Sequence, residues 1–339
     1  MLTVSRVKQL LSSFADLRLL VVGDLMLDRY LYGVAERISP EAPVPVVRVL
    51  RETCVPGGAA NVAANVAALG ARADVAGLAG DDADAAMLTG LLDRLNIDDG
   101  GVWRRKQLAT IVKTRIMADR QQVVRVDRDG SLPLDDGETR VFCNRIRDRM
   151  QQADGVILED YGKGTLTQDV VDTVLSATSS HPVPVGFDPR DNHALCLKGI
   201  TLATPNWREA LHAAGGHSDA RPDEAPTAAL LDRVADGLME IWAPRLLIMT
   251  LGPQGIYLAP RDGSRQLIPT RAREVFDVSG AGDTVIAACL LALAAGASDV
   301  EAAEIGNHAA GVVVGKLGTA VCSPPELIAS IAGRETDVL

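Results

Sequence analysis

The chain has 339 residues, 47% of them hydrophobic and 23% charged, which is ordinary for a globular protein with a large core. The 34 Lys and Arg residues stand against 44 Asp and Glu residues, and the net charge of −10 argues against non-specific nucleic-acid binding. We find no export signal, no apolar stretch suited to crossing a bilayer, and five scattered cysteines without a C-x-x-C pair. We therefore expect a cytoplasmic protein without nucleic-acid or membrane partners.

Taken in chain order, the hydrophobic pattern predicts alternating strands and helices. The predicted strands are Leu17–Val22, Ala73–Leu78, Gly155–Leu158, Val183–Phe187, Leu202–Thr204 and Leu246–Thr250. The predicted helices include Gly58–Leu69, Ala83–Leu95 and Val285–Ala297, and a loop is predicted at Gly215–Pro226. This order predicts an α/β fold with a mostly parallel sheet between helices, which binds ligands at the carboxyl ends of its strands.

Two segments break the alternation. Arg29–Leu50 contains two tyrosines, three prolines and alternating valines, and Thr110–Asp127 alternates apolar with polar, often basic, residues. Both patterns predict extended, partly exposed antiparallel strands. We expect these strands to form a small lid, about residues 29–53 and 109–127, on a single domain that spans residues 1–339.

The glycine-rich stretch Asp277–Thr284 carries the strongest chemical signal and runs directly into an apolar helix. A glycine turn that opens onto a helix leaves backbone N–H groups unpaired at the positive end of the helix dipole, so Gly280-Ala281-Gly282 predicts an anion site. The carboxylate of Asp283 is suited to take a proton from a hydroxyl that attacks a phosphoryl group. Asp in a first helical turn is also a common helix cap, so the motif alone leaves both interpretations open.

Polar residues near the N-terminus predict a sugar site. Asp24 and Asp28 follow the first predicted strand, and Gly57, Gly58 and Asn61 form a diglycine turn that enters a helix. Carboxylate and amide groups beside an open glycine turn suit a polyol, whose hydroxyls need fixed acceptors and donors.

Two more motifs, Asn206-Trp207-Arg208-Glu209 and Thr250–Gly255, each follow a predicted strand. Together with the diglycine and G-A-G-D motifs, they resemble the ribokinase-like (pfkB) carbohydrate kinases in order and spacing along nearly the whole chain. The resemblance implies a ribokinase-like fold, ATP and Mg²⁺ as cofactors, and in some members a monovalent cation.

The resemblance also implies a role for each motif. Asp283 would be the catalytic base, and the backbone of Gly280, Ala281 and Gly282 would hold the transferring phosphoryl group. Residues that would border the nucleotide or position Mg²⁺ are Thr250, Gly252, Gly255, Asn307, Asn206 and Glu209, the last through water. Residues that would contact the sugar are Asp24, Asp28, Gly57, Gly58, Asn61 and Asp160.

One branch of the family is closer still. Asp28-Arg29-Tyr30, Arg37–Val46 and Asp160-Tyr161-Gly162-Lys163-Gly164 look like D-glycero-β-D-manno-heptose-7-phosphate kinases, which supply ADP-heptose for the lipopolysaccharide core. Many of those kinases are fused to a C-terminal nucleotidyltransferase, and since this chain stops soon after Pro324-Pro325 we expect the kinase-only form. Lid strands often pair across a two-fold axis in this family, which implies a homodimer.

The sequence indicates less clearly which residue binds the phosphate group of the substrate. Lys163 in a glycine-flanked loop is our first choice, Arg120 on the lid is the second, and Arg190 keeps the charge where the branch more often has lysine. Exposed basic residues on strands are also common edge protectors. Two other functions stay open, namely a kinase of a hexose phosphate such as fructose or tagatose phosphate, and a non-catalytic sugar or nucleotide sensor.

Overall fold

The computed structural model describes residues 2–118, 121–130, 133–190, 193–215, 226–272 and 274–336. The helices are α1 (Val4–Phe14), α2 (Ala59–Ala68), α3 (Ala83–Arg94), α4 (Asp136–Met150), α5 (Gln168–Ala177), α6 (Trp207–Ala213), α7 (Ala228–Ile241), α8 (Ala281–Ala294), α9 (Asp299–Val313) and α10 (Pro324–Thr336). The strands are β1 (Arg18–Gly23), β2 (Leu25–Ile38), β3 (Pro45–Gly58), β4 (Arg72–Gly80), β5 (Asp98–Arg105), β6 (Ile111–Ala118), β7 (Gln121–Arg128), β8 (Gly155–Glu159), β9 (Val185–Asp188), β10 (Leu202–Ala203), β11 (Leu246–Thr250), β12 (Ile256–Pro260) and β13 (Gln266–Ile268).

The central sheet has the order β13-β12-β11-β10-β9-β8-β1-β4-β5. Strands β11 to β5 along this order are parallel, and β12 and β13 form an antiparallel edge. The predicted mostly parallel α/β sheet is thus confirmed. All six predicted strands are present as β1, β4, β8, β9, β10 and β11.

Helices cover both faces of this sheet because its buried strands are apolar on both sides. Along β1, Leu19 and Val21 pack into the core that includes α2, α8 and α9. Leu20 and Val22 pack on the opposite face with α4, α5 and α7. Helix α8 begins at Ala281 rather than at the predicted Val285, so Asp283 lies in its first turn. Of the predicted loop Gly215–Pro226, residues 216–225 lie outside the described residues.

A second sheet, which we call the cover sheet, has the order β3-β2-β6-β7 and contains both segments predicted to be extended. The prediction of antiparallel pairing is correct within the β2–β3 and β6–β7 pairs and wrong between them, since β2 and β6 run parallel. Only Asp24 separates the end of β1 at Gly23 from the start of β2 at Leu25, so the chain passes directly from the central sheet into the cover sheet. Among the described helices, none is long and apolar enough to cross a bilayer.

Candidate active site

The predicted motifs converge at the carboxyl edge of the central sheet. β8 ends at Glu159, β9 at Asp188 and β11 at Thr250, and the first turn of α8 lies opposite them. A cavity of about 170 Å³ is lined by Glu159, Asp160, Tyr161, Asp188, Pro189, Arg190, Thr204, Asn206, Glu209, Thr250, Gly280, Gly282 and Asp283. Residues separated by more than a hundred positions in the chain therefore line one acidic chamber. Its position is that of the ligand sites of parallel sheets, which lie at the carboxyl ends of the strands.

Asp283 is buried, with 5% of its surface exposed. Asn61 Nδ2 donates a hydrogen bond to its Oδ2 at 2.6 Å, and Tyr161 Oη donates to its Oδ1 at 2.9 Å. Burial raises the pKa of the Asp283 carboxyl, and the two hydrogen bonds act in the opposite direction. The N-cap position of α8 is Gly280, so the carboxylate of Asp283 is directed at other elements rather than at its own helix end.

The turn before Asp283 exposes backbone donors. Gly280 has φ +78°, a left-handed conformation that favours glycine, and an added Cβ would lie 2.8 Å from Asn61 Nδ2. Ala281 N–H bonds to Val278 O at 3.3 Å and Thr284 N–H bonds to Gly280 O at 3.0 Å. Within the part of the chain that the structure describes, the N–H groups of Gly282 and Asp283 have no acceptor. Unpaired donors at a helix N-terminus form an anion site.

Three carboxylates meet beside this turn. Oxygens of Glu159, Asp188 and Asp283 lie within 4.8 Å of one another, and Glu159 Oε2 is buried without a hydrogen-bond partner among the described residues. Burial, followed by the charges of neighbouring carboxylates, raises the pKa of Glu159 and of Asp188 well above the ordinary range. Such a cluster is costly unless protons or a cation compensate the charge. Oxygen-only ligands of this kind suit a hard divalent cation such as Mg²⁺.

Asn206 and Glu209 begin α6 as a capping box. Asn206 Oδ1 accepts from Glu209 N–H at 3.0 Å, and Glu209 Oε2 accepts from Asn206 N–H at 2.8 Å. Both residues and Thr250 line the cavity, and the Glu209 charge contributes to the raised pKa of Asp188. The local capping geometry therefore directs the N-x-x-E motif at the acidic chamber.

The residues predicted for the rest of the nucleotide lie outside this cavity. Gly252 and Gly255 have φ values of +56° and +102° in a tight turn after β11, and an added Cβ on Gly255 would lie 2.1 Å from Ile268 O. Asn307 is buried, and its Nδ2 donates to Pro269 O at 2.8 Å. Their nucleotide roles stay predictions.

The carboxylates predicted to bind sugar hold elements of the protein together. Asp24, with 1% of its surface exposed, accepts hydrogen bonds from the N–H groups of the 161–165 loop. Asp28 on β2 forms an ion pair with Arg115 on β6 at 2.8 Å. Gly57 and Gly58 end β3, where a Cβ on Gly57 would lie 3.0 Å from the Asp28 carboxylate. Their sugar contacts stay predictions.

The basic residues are distributed unevenly. Lys163 Nζ is paired with Asp129 Oδ2 at 2.6 Å, whereas Arg190 lines the cavity, and Arg120 lies outside the described residues. Asp160 is buried, lines the cavity and pairs with His193 Nδ1 at 2.6 Å. Lys113 on β6, which is not among the predicted site residues, has its Nζ 4.8 Å from the ring centroid of Tyr161.

The sequence motifs missed three important members of the chamber. Glu159 and Asp188 are absent from the predicted site residues, and Tyr161 appears only as part of a branch motif. Their position at the carboxyl ends of β8 and β9 was the available signal, because side chains there face the ligand edge.

Two solved structures have the same fold as this chain. Phosphofructokinase-2 from Escherichia coli in complex with potassium has a TM-score of 0.75 at 20% identity and covers 94% of this chain and 99% of its own. Arabidopsis thaliana ribokinase complexed with ribose and ATP has a TM-score of 0.68 at 19% identity and covers 93% and 97%. The fold is therefore that of ribokinase-like kinases.

The family follows from the sequence. Residues 16–326 match the pfkB family carbohydrate kinase model, and the chain belongs to this family. The prediction of an ATP-dependent carbohydrate kinase is thereby confirmed at the family level. Proteins named "Bifunctional protein HldE" from Geobacter metallireducens and Gluconacetobacter diazotrophicus are each 41% identical over 331 residues, covering 98% and 96% of this chain. The chain spans about two thirds (66%) of the length of these relatives.

Proposed function

We propose that this protein transfers the γ-phosphoryl group of ATP to the anomeric 1-hydroxyl of D-glycero-β-D-manno-heptose 7-phosphate, which yields the 1,7-bisphosphate for ADP-heptose and lipopolysaccharide core synthesis. The observation that carries the proposal is the buried carboxylate of Asp283 beside two backbone N–H groups, at the start of α8, that have no acceptor among the described residues. A base and an anion site in contact are what phosphoryl transfer to a hydroxyl requires.

In this mechanism, Asp283 accepts the proton of the sugar hydroxyl while the hydroxyl oxygen attacks the γ-phosphorus. The N–H groups of Gly282 and Asp283 bind the oxygens of the transferring phosphoryl group, with the left-handed Gly280 directing them into the chamber. Positioning and charge neutralisation provide most of the rate enhancement, because the transition state of phosphoryl transfer is loose.

The carboxylates of the chamber fit Mg²⁺. Glu159 and Asp188 would hold it together with the predicted Glu209, and the buried Glu159 oxygen without a partner supports this assignment. When bound, Mg²⁺ neutralises charge on the nucleotide phosphates. A monovalent cation is a further proposal, since a structural relative was solved with potassium.

The heptose substrate is supported by the N-terminal motifs of the heptose-7-phosphate kinase branch and by the 41% identity to the HldE proteins. Arg190 and Lys163 are proposed to reach the 7-phosphate. We propose that the sugar is contacted by Asp24, Asp28, Gly57, Gly58, Asn61 and Asp160. We propose that the ATP site is lined by Thr250, Gly252, Gly255, Asn206 and Asn307.

We further propose a single cytoplasmic kinase domain that dimerises through the cover sheet. β7 is exposed along its whole length, and its exposed valines leave apolar surface on an edge strand. A structural relative was solved in a tetrameric form, which supports assembly in this fold.

The substrate is tested by measuring ADP release and sugar-phosphate formation with heptose 7-phosphate, fructose 6-phosphate and ribose in parallel. We expect the highest kcat/KM with the heptose 7-phosphate and a new phosphate ester at its carbon 1. Preference for fructose 6-phosphate would support the hexose-phosphate alternative. Absence of turnover with every sugar would support the sensor.

A further inference from the structure

Tyr161 and Asn61 each hold one oxygen of the Asp283 carboxylate. Its Oη donates to Asp283 Oδ1 at 2.9 Å, and Asn61 Nδ2 donates to Oδ2 at 2.6 Å. Each oxygen of the proposed base therefore already has a donor from the protein. Hydrogen bonds to a charged acceptor are among the stronger ones in proteins, so this pair fixes the orientation of the carboxylate.

The position of Tyr161 is itself fixed by the loop and the cover sheet. Its N–H donates to Asp24 Oδ2 at 3.0 Å, so the buried carboxylate at the end of β1 anchors the loop. Lys113 from β6 stands 4.8 Å from the ring centroid, and Arg190 stands 6.0 Å from it. Both distances allow cation–π attraction, which holds the ring between the cover sheet and the segment after β9.

If Asp283 is a base beside bound ATP, it could also activate water, which would hydrolyse the ATP. Water could attack in place of the sugar hydroxyl. The water oxygen would then bond to the γ-phosphorus, and the bond between the γ-phosphorus and the oxygen that leaves with ADP would break. One proton of the water would pass to Asp283. The products would be ADP and inorganic phosphate. Enzymes limit such loss by excluding or occupying the position of water.

We propose that Tyr161 is a positioning residue that orients Asp283 and covers its Oδ1 against water until the sugar hydroxyl arrives. The inference rests on the proposed function, because only there is Asp283 a base. The sugar hydroxyl, which its other contacts hold in place, then takes the position of the phenol on Oδ1. The transfer then forms the sugar oxygen–phosphorus bond, releases ADP and leaves the hydroxyl proton on Asp283.

Tyr161→Phe removes the hydroxyl and keeps the ring. ADP release from ATP alone, without sugar, should rise about tenfold, the effect of losing one hydrogen bond to a charged group. With heptose 7-phosphate present, the fraction of ADP matched by sugar phosphate should fall. Tyr257→Phe is the matched control, since Tyr257 donates its phenol proton to Asp232 outside the chamber, and it should change neither quantity.

The double variant Tyr161→Phe with Asp283→Asn should return sugar-free hydrolysis to the background, because the water attack needs the carboxylate. Unchanged hydrolysis in Tyr161→Phe, or hydrolysis that persists without the Asp283 carboxylate, would overturn the inference. Failure of the proposed function has a different signature, namely no sugar phosphate from the wild-type enzyme with any sugar. When the wild-type enzyme does form sugar phosphate, the comparison with ATP alone decides the role of Tyr161.

Discussion

At the residue scale, the site depends on one left-handed glycine. Gly280 has φ +78°, which turns the chain so that α8 begins with donors directed into the chamber. The same conformation brings its Cα next to Asn61, whose amide holds Asp283. Backbone conformation and the orientation of the base are therefore linked at this position.

Gly280→Ala tests that link. A side chain in this conformation costs about 1–2 kcal/mol of stability, and the new Cβ, 2.8 Å from Asn61 Nδ2, should displace the donor from Asp283. We expect kcat to fall by at least about tenfold, as for the loss of a hydrogen bond to a charged group. Steady-state kinetics and thermal unfolding measure the two effects.

Gly263→Ala is the control, because Gly263 has φ +88° and its added Cβ would meet nothing within 4 Å. It should lose similar stability and retain its activity. Normal kcat in Gly280→Ala would show that Asn61 does not orient the base.

The residue types of the site were predictable, but their contacts were not. The sequence identified Asp283 and Asn61 from local motifs, and it assigned Asn61 to the sugar although its amide is bonded to Asp283. Tyr161 lies 122 positions from Asp283, and local pattern does not say which phenol will reach which carboxylate. Such contacts depend on loop conformation, here imposed by Asp24.

At the element scale, the N-x-x-E motif serves two purposes at once. Asn206 and Glu209 form the capping box of α6, and they also line the chamber. Helix α9 begins with an equivalent capping box, formed by Ser298 and Glu301, on the surface. The two helices allow capping and chemistry to be separated.

Asn206→Ala and Ser298→Ala should each cost about 1 kcal/mol of stability, because each removes an N-cap acceptor. Only Asn206→Ala should also lower kcat/KM for ATP. Asn206→Ser, which keeps a cap, should recover stability without recovering activity, as measured by thermal unfolding and initial rates. If Asn206→Ser recovers both, Asn206 acts only as a cap.

The elements were predicted as far as their burial was uniform. Apolar runs identified the six core strands, because parallel strands are buried on both faces. Strand β12 was not predicted at all, although it is also buried along its length. The parallel pairing of β2 with β6 was missed, since strand direction depends on distant partners rather than on local pattern.

At the scale of the whole molecule, strand β7 of the cover sheet is exposed along its whole length. Val124 and Val126 on β7 are 45% and 53% exposed, in a strand with one unpaired edge. An exposed apolar edge strand favours association with another chain.

We therefore expect sedimentation to give twice the 35.8 kDa mass of the chain. Replacing Val124 and Val126 together by Asp should produce the monomer, because two desolvated charges at the interface cost several kcal/mol. Val141→Asp, at a 50% exposed valine on α4, should leave the dimer intact. A wild-type monomer at all concentrations would contradict this assembly.

The most direct test of the account is the rate of sugar phosphorylation by Asp283→Asn, measured at saturating ATP beside Asp299→Asn, which alters the first turn of α9 instead. If Asp283 is the base, kcat should fall by about 10²–10⁴ while ATP binding and thermal stability stay close to those of the control. A rate within a few-fold of the wild type in folded, ATP-binding Asp283→Asn would contradict the proposed mechanism.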